Sequence, residues 1–374
     1  PFAKLIGLLA GAGCVVLAFL LVRALWPKER PGSEAASLGS AGLLAVLPSF
    51  AINSVSGLET TLFALLVTWG VYSGVRTAGH DRMGWGSAAC FALAGLARPE
   101  GFVVFGVFWL CSVAMLAFRR RTAEGEPSAW TLLRRRGFLG VALAVTAVFS
   151  FQIIGRLLVY DGEWLPNTFF AKIGGFSGIS SWDYVRLGSV TPVFGVPGIL
   201  LGLVGLTRLP EPRRIVTPLV VAFFGAAEPS WAATDWMLGW RIVVPYLPLL
   251  VTTMVLGWSL LLSGPTALRR SGAFLVLLLL PLSWQRNDPE RNTYLSETLI
   301  RARGYETGHR ALGRWLSEPG VTSPGDTVAL LDIGIVGFIA SDLKVLDVSG
   351  LTDRFIAKSP GLFMNKRFDL RYLF

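Results

Sequence analysis

A chain of 374 residues that is 53% hydrophobic and 16% charged, with mean hydropathy +0.57, is too apolar for a soluble domain of this size. It reads as a polytopic α-helical membrane protein. The formal net charge of +10 does not point to nucleic acid, because the Lys and Arg fall in short loops between apolar runs and not in an aromatic-interleaved patch.

The residues from Pro1 already look like the entry to a membrane helix, and the chain stops at Phe374 inside a polar, strand-capable stretch. An N-terminal part is therefore expected to be missing, and the C-terminal end is expected to be short as well. Apolar runs suited to about 30 Å of hydrocarbon fall near Phe2 to Val22, Leu38 to Ile52, Leu58 to Val75, Gly84 to Ala97 and Phe102 to Phe118. They continue at Phe138 to Val159, Val190 to Leu206, Ile215 to Ala227, Ile242 to Leu262 and Gly272 to Trp284, which makes about ten transmembrane helices over 1–284. Cys14, Cys90 and Cys111 each lie inside such a run and read as unpaired core thiols. From Gln285 the composition becomes that of a soluble domain. Helical spacing over Leu299 to Leu316 and short strands at Thr327 to Leu331, Val336 to Ala340 and Lys344 to Val348 predict a small α/β domain over 285–374.

Orientation follows from the basic residues. One set of alternate loops holds Arg23, Lys28 and Arg30; Arg76 and Arg82; Arg119 to Arg121 and Arg134 to Arg136; Arg208, Arg213 and Arg214; and Arg269 and Arg270. The opposite set holds only Lys4, Arg98, Arg156, Lys172, Arg186 and Arg241. The positive-inside rule makes the first set cytoplasmic. The second set and the terminal domain are then extracytoplasmic, on the outer side of the cytoplasmic (inner) membrane.

That face collects the polar signatures. Glu59 stands at the outer end of its helix, where a carboxylate either complements the helix dipole or faces a cavity and binds a sugar hydroxyl or a cation. Arg98, Pro99 and Glu100 join two apolar runs. A local pair across a proline-started helix explains them, and so does a guanidinium fork set for phosphate. A charge left unpaired in hydrocarbon would cost at least ~2.5 to 3.5 kcal/mol. The loop Tyr160 to Lys172 carries Asp161, Glu163, Asn167 and Lys172, more polarity than an interfacial anchor needs and suited to a phosphosugar or polyol. Asp235, Trp236 and Arg241, with Trp231 and Trp240, combine a carboxylate, a guanidinium and indoles, a set found in aromatic belts and also in carbohydrate and pyrophosphate sites. His80 and His309 match no zinc pattern, and Walker-type, GxSxG and Cys/His nucleophile motifs are absent.

In order and spacing, Ser56-Gly57-Leu58-Glu59, Ala97-Arg98-Pro99-Glu100-Gly101, Leu165-Pro166-Asn167-Thr168-Phe169-Phe170-Ala171-Lys172, Asp235-Trp236-Met237 leading into Arg241 and Pro245, and Leu346 to Asp353 run through nearly the whole chain. Together they resemble the glycosyltransferase C superfamily of integral membrane enzymes, most closely the branch containing the actinobacterial cell-wall arabinofuranosyltransferases. The resemblance implies transfer of a sugar, with inversion, from a polyprenyl-phosphate donor to a cell-envelope glycan or glycolipid acceptor, arabinofuranose and mannose both being compatible. It also implies a general base upstream of Pro1, so that this stretch alone is expected to be inactive. Arg98, Lys172 and Arg241 are the expected contacts of the donor phosphate. Glu59, Glu100, Asn167, Asp235 and Trp236 are the expected contacts of sugar or acceptor. No metal ligand is assigned, and a divalent cation stays open, because the carboxylates suited to hold one lie upstream. Two alternatives differ in kind: a transporter or flippase of a lipid-linked saccharide would show broken helices with charges at mid-membrane, and a non-catalytic glycan-assembly subunit would keep the aromatic loops without the acids.

Overall fold

A computed structural model describes residues 2–26, 29–78, 83–120, 137–172, 191–209, 211, 213–228, 240–263 and 303–373. The apolar runs fold as helices: α1 Phe2–Leu25, α2 Ser33–Val46, α3 Pro48–Val55, α4 Thr60–Ala78, α5 Trp85–Ala97, α6 Glu100–Arg120, α7 Phe138–Val159, a short α8 Asn167–Lys172, α9 Thr191–Leu206, α10 Arg213–Ala226 and α11 Leu247–Leu262, the last entered through a 3-10 turn at Val244–Tyr246. The expected run at Gly272 to Trp284 lies outside the described residues. Four described helices are long and apolar enough to cross a membrane, or five if α2 and α3 form one broken span.

That break departs from the single helix expected over Leu38 to Ile52. Pro48 cannot continue the ladder of α2 and instead starts a new helix, so the chain bends by 62° between the two. No charge stands at the bend, since Glu34 is the one charged residue from Ser33 to Val55.

The described residues divide into two compact units: one comprises those in 1–155, 183–229 and 239–287, the other those in 156–182, 230–238 and 288–374. In the first unit α1 packs on α4, α2, α3 and α11, while α11 also packs on α9 and α10. Residues Leu247 to Leu261 of α11 are almost all buried, making it the centre of the bundle. Its buried Thr252 and Thr253 hydroxyls donate to the carbonyls of Pro248 and Leu249, one turn back, as apolar surroundings demand. The α9–α11 crossing is made by glycine. A Cβ on Gly205 would lie 1.8 Å from the Gly257 carbonyl oxygen, and one on Gly257 would lie 2.1 Å from that of Gly202. Small residues that let backbones touch are the usual means of packing membrane helices. Phe151 and Ile154 of α7 are exposed, as lipid-facing side chains would be.

In the second unit a π turn at Tyr305–Arg310 runs into α12 Ala311–Leu316, followed by β1 Thr327–Leu330, α13 Gly334–Ile339, β2 Lys344–Asp347, α14 Arg354–Lys358 and the small hairpin β3 Gly361–Leu362 with β4 Asn365–Lys366. β1 and β2 pair in parallel, Thr327 opposite Lys344. A parallel pair needs a crossover, and the crossover is α13, where a third strand was expected over Val336 to Ala340. The β-branched, apolar run is compatible with either state. The helix wins because it turns Val336 and Ala340 together onto Leu316, Val328, Leu330 and Leu343.

Candidate functional site

The first unit builds a buried polar cluster where α5 meets α6. Arg98 caps the C-terminal end of α5 in extended conformation, its N–H donating to the Ala94 carbonyl at 2.8 Å. Pro99 then starts α6, putting Glu100 in the first turn, where a carboxylate also suits the dipole. Nε and Nη2 of Arg98 both engage Glu100 Oε1. This is the local pair that the Arg-Pro-Glu spacing allows. Two partners come from far along the chain: Glu228 Oε1 lies 3.9 Å from Arg98 Nη2, and the Tyr246 hydroxyl donates to Glu228 Oε2 at 2.8 Å. The Phe63 ring completes the enclosure, 5.2 Å below the guanidinium and edge-on to the Tyr246 ring at 6.3 Å.

Side-chain exposure is 13% for Arg98 and 5% for Glu228. Burial by itself would lower the Arg98 pKa, but the charges of Glu100 and Glu228 outweigh it and hold the guanidinium firmly protonated. Burial pushes the Glu228 carboxyl up, against the downward pull of Arg98. One guanidinium thus faces two carboxylates, one of them biased toward its proton. Tyr246 can stand there because residue 225 is glycine; a Cβ at Gly225 would fall 2.2 Å from the tyrosine ring. Sequence reasoning passed over Glu228 and Tyr246. The available signal was a carboxylate directly after an apolar helix, in Ala226-Ala227-Glu228-Pro229.

Of the other expected site residues in this unit, Glu59 is exposed in the turn before α4 and contributes a favourable charge to Arg98. Arg241 lies in the turn between Trp240 and the 3-10 turn, partly buried and in contact with the protein. Trp240 has φ +53, a left-handed backbone that a bulky residue rarely adopts. Asp235 and Trp236 lie outside the described residues. Among the described residues no three His, Cys, Asp or Glu side chains group as metal ligands.

Asn167 and Lys172 belong to the second unit and anchor its terminal segment. The Asn167 amide donates to the Thr352 carbonyl at 3.3 Å, and Lys172 Nζ sits 5.6 Å over the Phe363 ring. Ala171 is fully buried with Ala357 and Phe363. Glu163 accepts from Lys358 and pairs with Arg354, and these partners, Lys358 first, hold its carboxyl below the usual range. Asp347, in the Asp-Val-Ser-Gly-Leu-Thr-Asp turn, is committed too: its carboxylate accepts from the backbone N–H of Ser349 and of Thr352, at 2.9 and 2.8 Å. Asp353 caps α14 by accepting from Ile356 N–H at 2.9 Å. Both act as structural turn residues.

The crystal structure of ArnT from Cupriavidus metallidurans in the apo state is similar to this chain, with TM-score 0.51 and 13% identity over 90% of this chain and 70% of the other. The likeness is one of fold: the chain shares the architecture of that structure. Residues 297–373 match DUF8728, a domain of unknown function. No curated protein matches the chain.

Proposed function

We propose that this protein transfers a sugar from a polyprenyl-phosphate donor to a cell-envelope glycan or glycolipid acceptor at the outer face of the cytoplasmic membrane, with inversion. The observation that carries the reading is the buried Arg98 cluster. A guanidinium held by two carboxylates over an aromatic ring, with Tyr246 fixing one of the carboxylates, is a fixed cation at the end of apolar helices. A lipid-linked phosphate is an anion that such a cation would meet. The fold shared with the ArnT structure supports the same reading.

Displacement at the anomeric carbon breaks the bond to the lipid phosphate, and negative charge grows on that phosphate as the acceptor hydroxyl loses its proton to a carboxylate. A phosphate is already a good leaving group, so cations replace a general acid. In this reading Arg98 and Arg241 meet the phosphate, the Nη1 edge of Arg98 being the one its carboxylates leave for an oxygen. Glu59 and Glu100 meet sugar or acceptor hydroxyls. Glu228 and Tyr246 act through Arg98 as positioning residues. The branch of the superfamily, and arabinofuranose or mannose as the sugar, belong to the same proposal.

In the intact protein, donor turnover is expected to fall by roughly 10²- to 10³-fold for Arg98→Ala, with a smaller loss for Arg241→Ala. Unchanged donor turnover and affinity in both variants would remove the phosphate assignment.

A further inference from the structure

A second basic site lies at another end of the same bundle, away from any role above. The last turn of α1 brings Arg23, the last turn of α4 brings Arg76, and the first turn of α10 brings Arg214 to one concavity of about 320 Å³. That volume lies at the lower end of the range of small-molecule sites, about 300 to 1,000 Å³. Leu20, Tyr72 and Val75 form its apolar wall. α1 and α4 run parallel here: Lys4 at the start of α1 lies beside Gly57, just before α4, and Arg23 and Arg76 share the cleft at their far ends.

Arginine at a helix C-terminus complements the dipole, and that alone explains Arg23 and Arg76 singly. It does not explain three converging on one hollow. Arg214 pairs with Glu211 at 2.7 Å, whereas among the described residues neither Arg23 nor Arg76 has a carboxylate within 4 Å. Each instead sits over the ring four residues back, Arg23 over Phe19 at 5.4 Å and Arg76 over Tyr72 at 5.9 Å. Three cations and one anion in a recess repel one another unless a counter-anion enters. The start of α10 adds the positive end of a helix dipole to the same space.

We infer that this cleft binds a phosphate anion, with Arg23, Arg76 and Arg214 as its ligands. Planar guanidinium forks suit a phosphate, and one carboxylate among three guanidiniums leaves the cluster net positive. The apolar wall beside the forks matches the phosphodiester headgroup of an anionic phospholipid, with free phosphate as the other source of the same chemistry. All three residues stand in helix ends that the charge rule puts on one side of the membrane.

The test reconstitutes the intact protein in nanodiscs of phosphatidylcholine with or without phosphatidylglycerol, and separately titrates inorganic phosphate in neutral detergent. Retained phosphatidylglycerol is counted by native mass spectrometry and the melting temperature is followed. The expected result is retention of phosphatidylglycerol with a raised melting temperature, affinity falling about tenfold in Arg76→Gln and further in Arg23→Gln/Arg76→Gln. A shift given by inorganic phosphate and lost in the same variants would assign the site to the soluble anion. Equal response of parent and variants to both probes overturns the proposal. Arg76→Gln guards against misfolding of the double variant, because the Arg76 side chain is exposed and its loss leaves the packing of α4 intact.

Discussion

The two units hold ion clusters of opposite stoichiometry. In the first, one cation, Arg98, faces two carboxylates under cover; in the second, one carboxylate, Glu163, faces Arg354 and Lys358, which are 52% and 40% exposed. Water decides the difference in weight. An exposed pair is screened and contributes little, whereas a buried charge depends on its partners, and removing one strands the other. The first cluster can therefore serve as a fixed fixture of a site, and the second as a surface fastening.

The contrast breaks first at Glu228. Glu228→Ala is expected to leave Arg98 undercompensated and Tyr246 without its acceptor, destabilising the protein by about 3 to 5 kcal/mol in reversible unfolding, with Glu228→Gln milder. A loss below 1 kcal/mol would mean the cluster is open to water. Next comes a buried acid that uses no cation. Asp347→Ala orphans the Ser349 and Thr352 N–H groups, and an expected loss of about 2 to 3 kcal/mol should appear as faster amide exchange around β2 and α14. The smallest effect is at Glu163. Its depressed folded pKa means that its contribution is present above the unfolded carboxylate range and disappears as pH falls through the folded value. Exchange protection of α14 should therefore weaken on acidification and at high salt, and Glu163→Gln should show that weaker protection already at neutral pH, with no further dependence on either.

Most helices were legible, because a membrane helix advertises itself by length and apolarity. The described ends of α7 coincide with the run read at Phe138 to Val159. What failed was local ambiguity and distant partnership. Pro48 splits a run that hydropathy alone makes continuous, and Gly334–Ile339 is apolar and β-branched enough for a strand until α12 offers it a surface. The Arg98–Glu100 pair followed from spacing, but Glu228 and Tyr246 reach it from 130 and more positions away, a distance over which no periodicity speaks. Asn167 and Lys172 stood out as polar, yet a loop's polarity does not disclose that Thr352 and Phe363 will be its neighbours.

The meeting of Gly205 with Gly257 also constrains how this sequence can change. Every missense change of a glycine codon adds a Cβ, and here each Cβ would land on the facing helix's main chain. Neither position can drift alone, nor can a substitution at one be rescued by shrinking the other, which is already glycine. Divergence in this region must therefore run through the neighbouring faces of α9 and α11, leaving the crossing itself as the stationary point of the bundle.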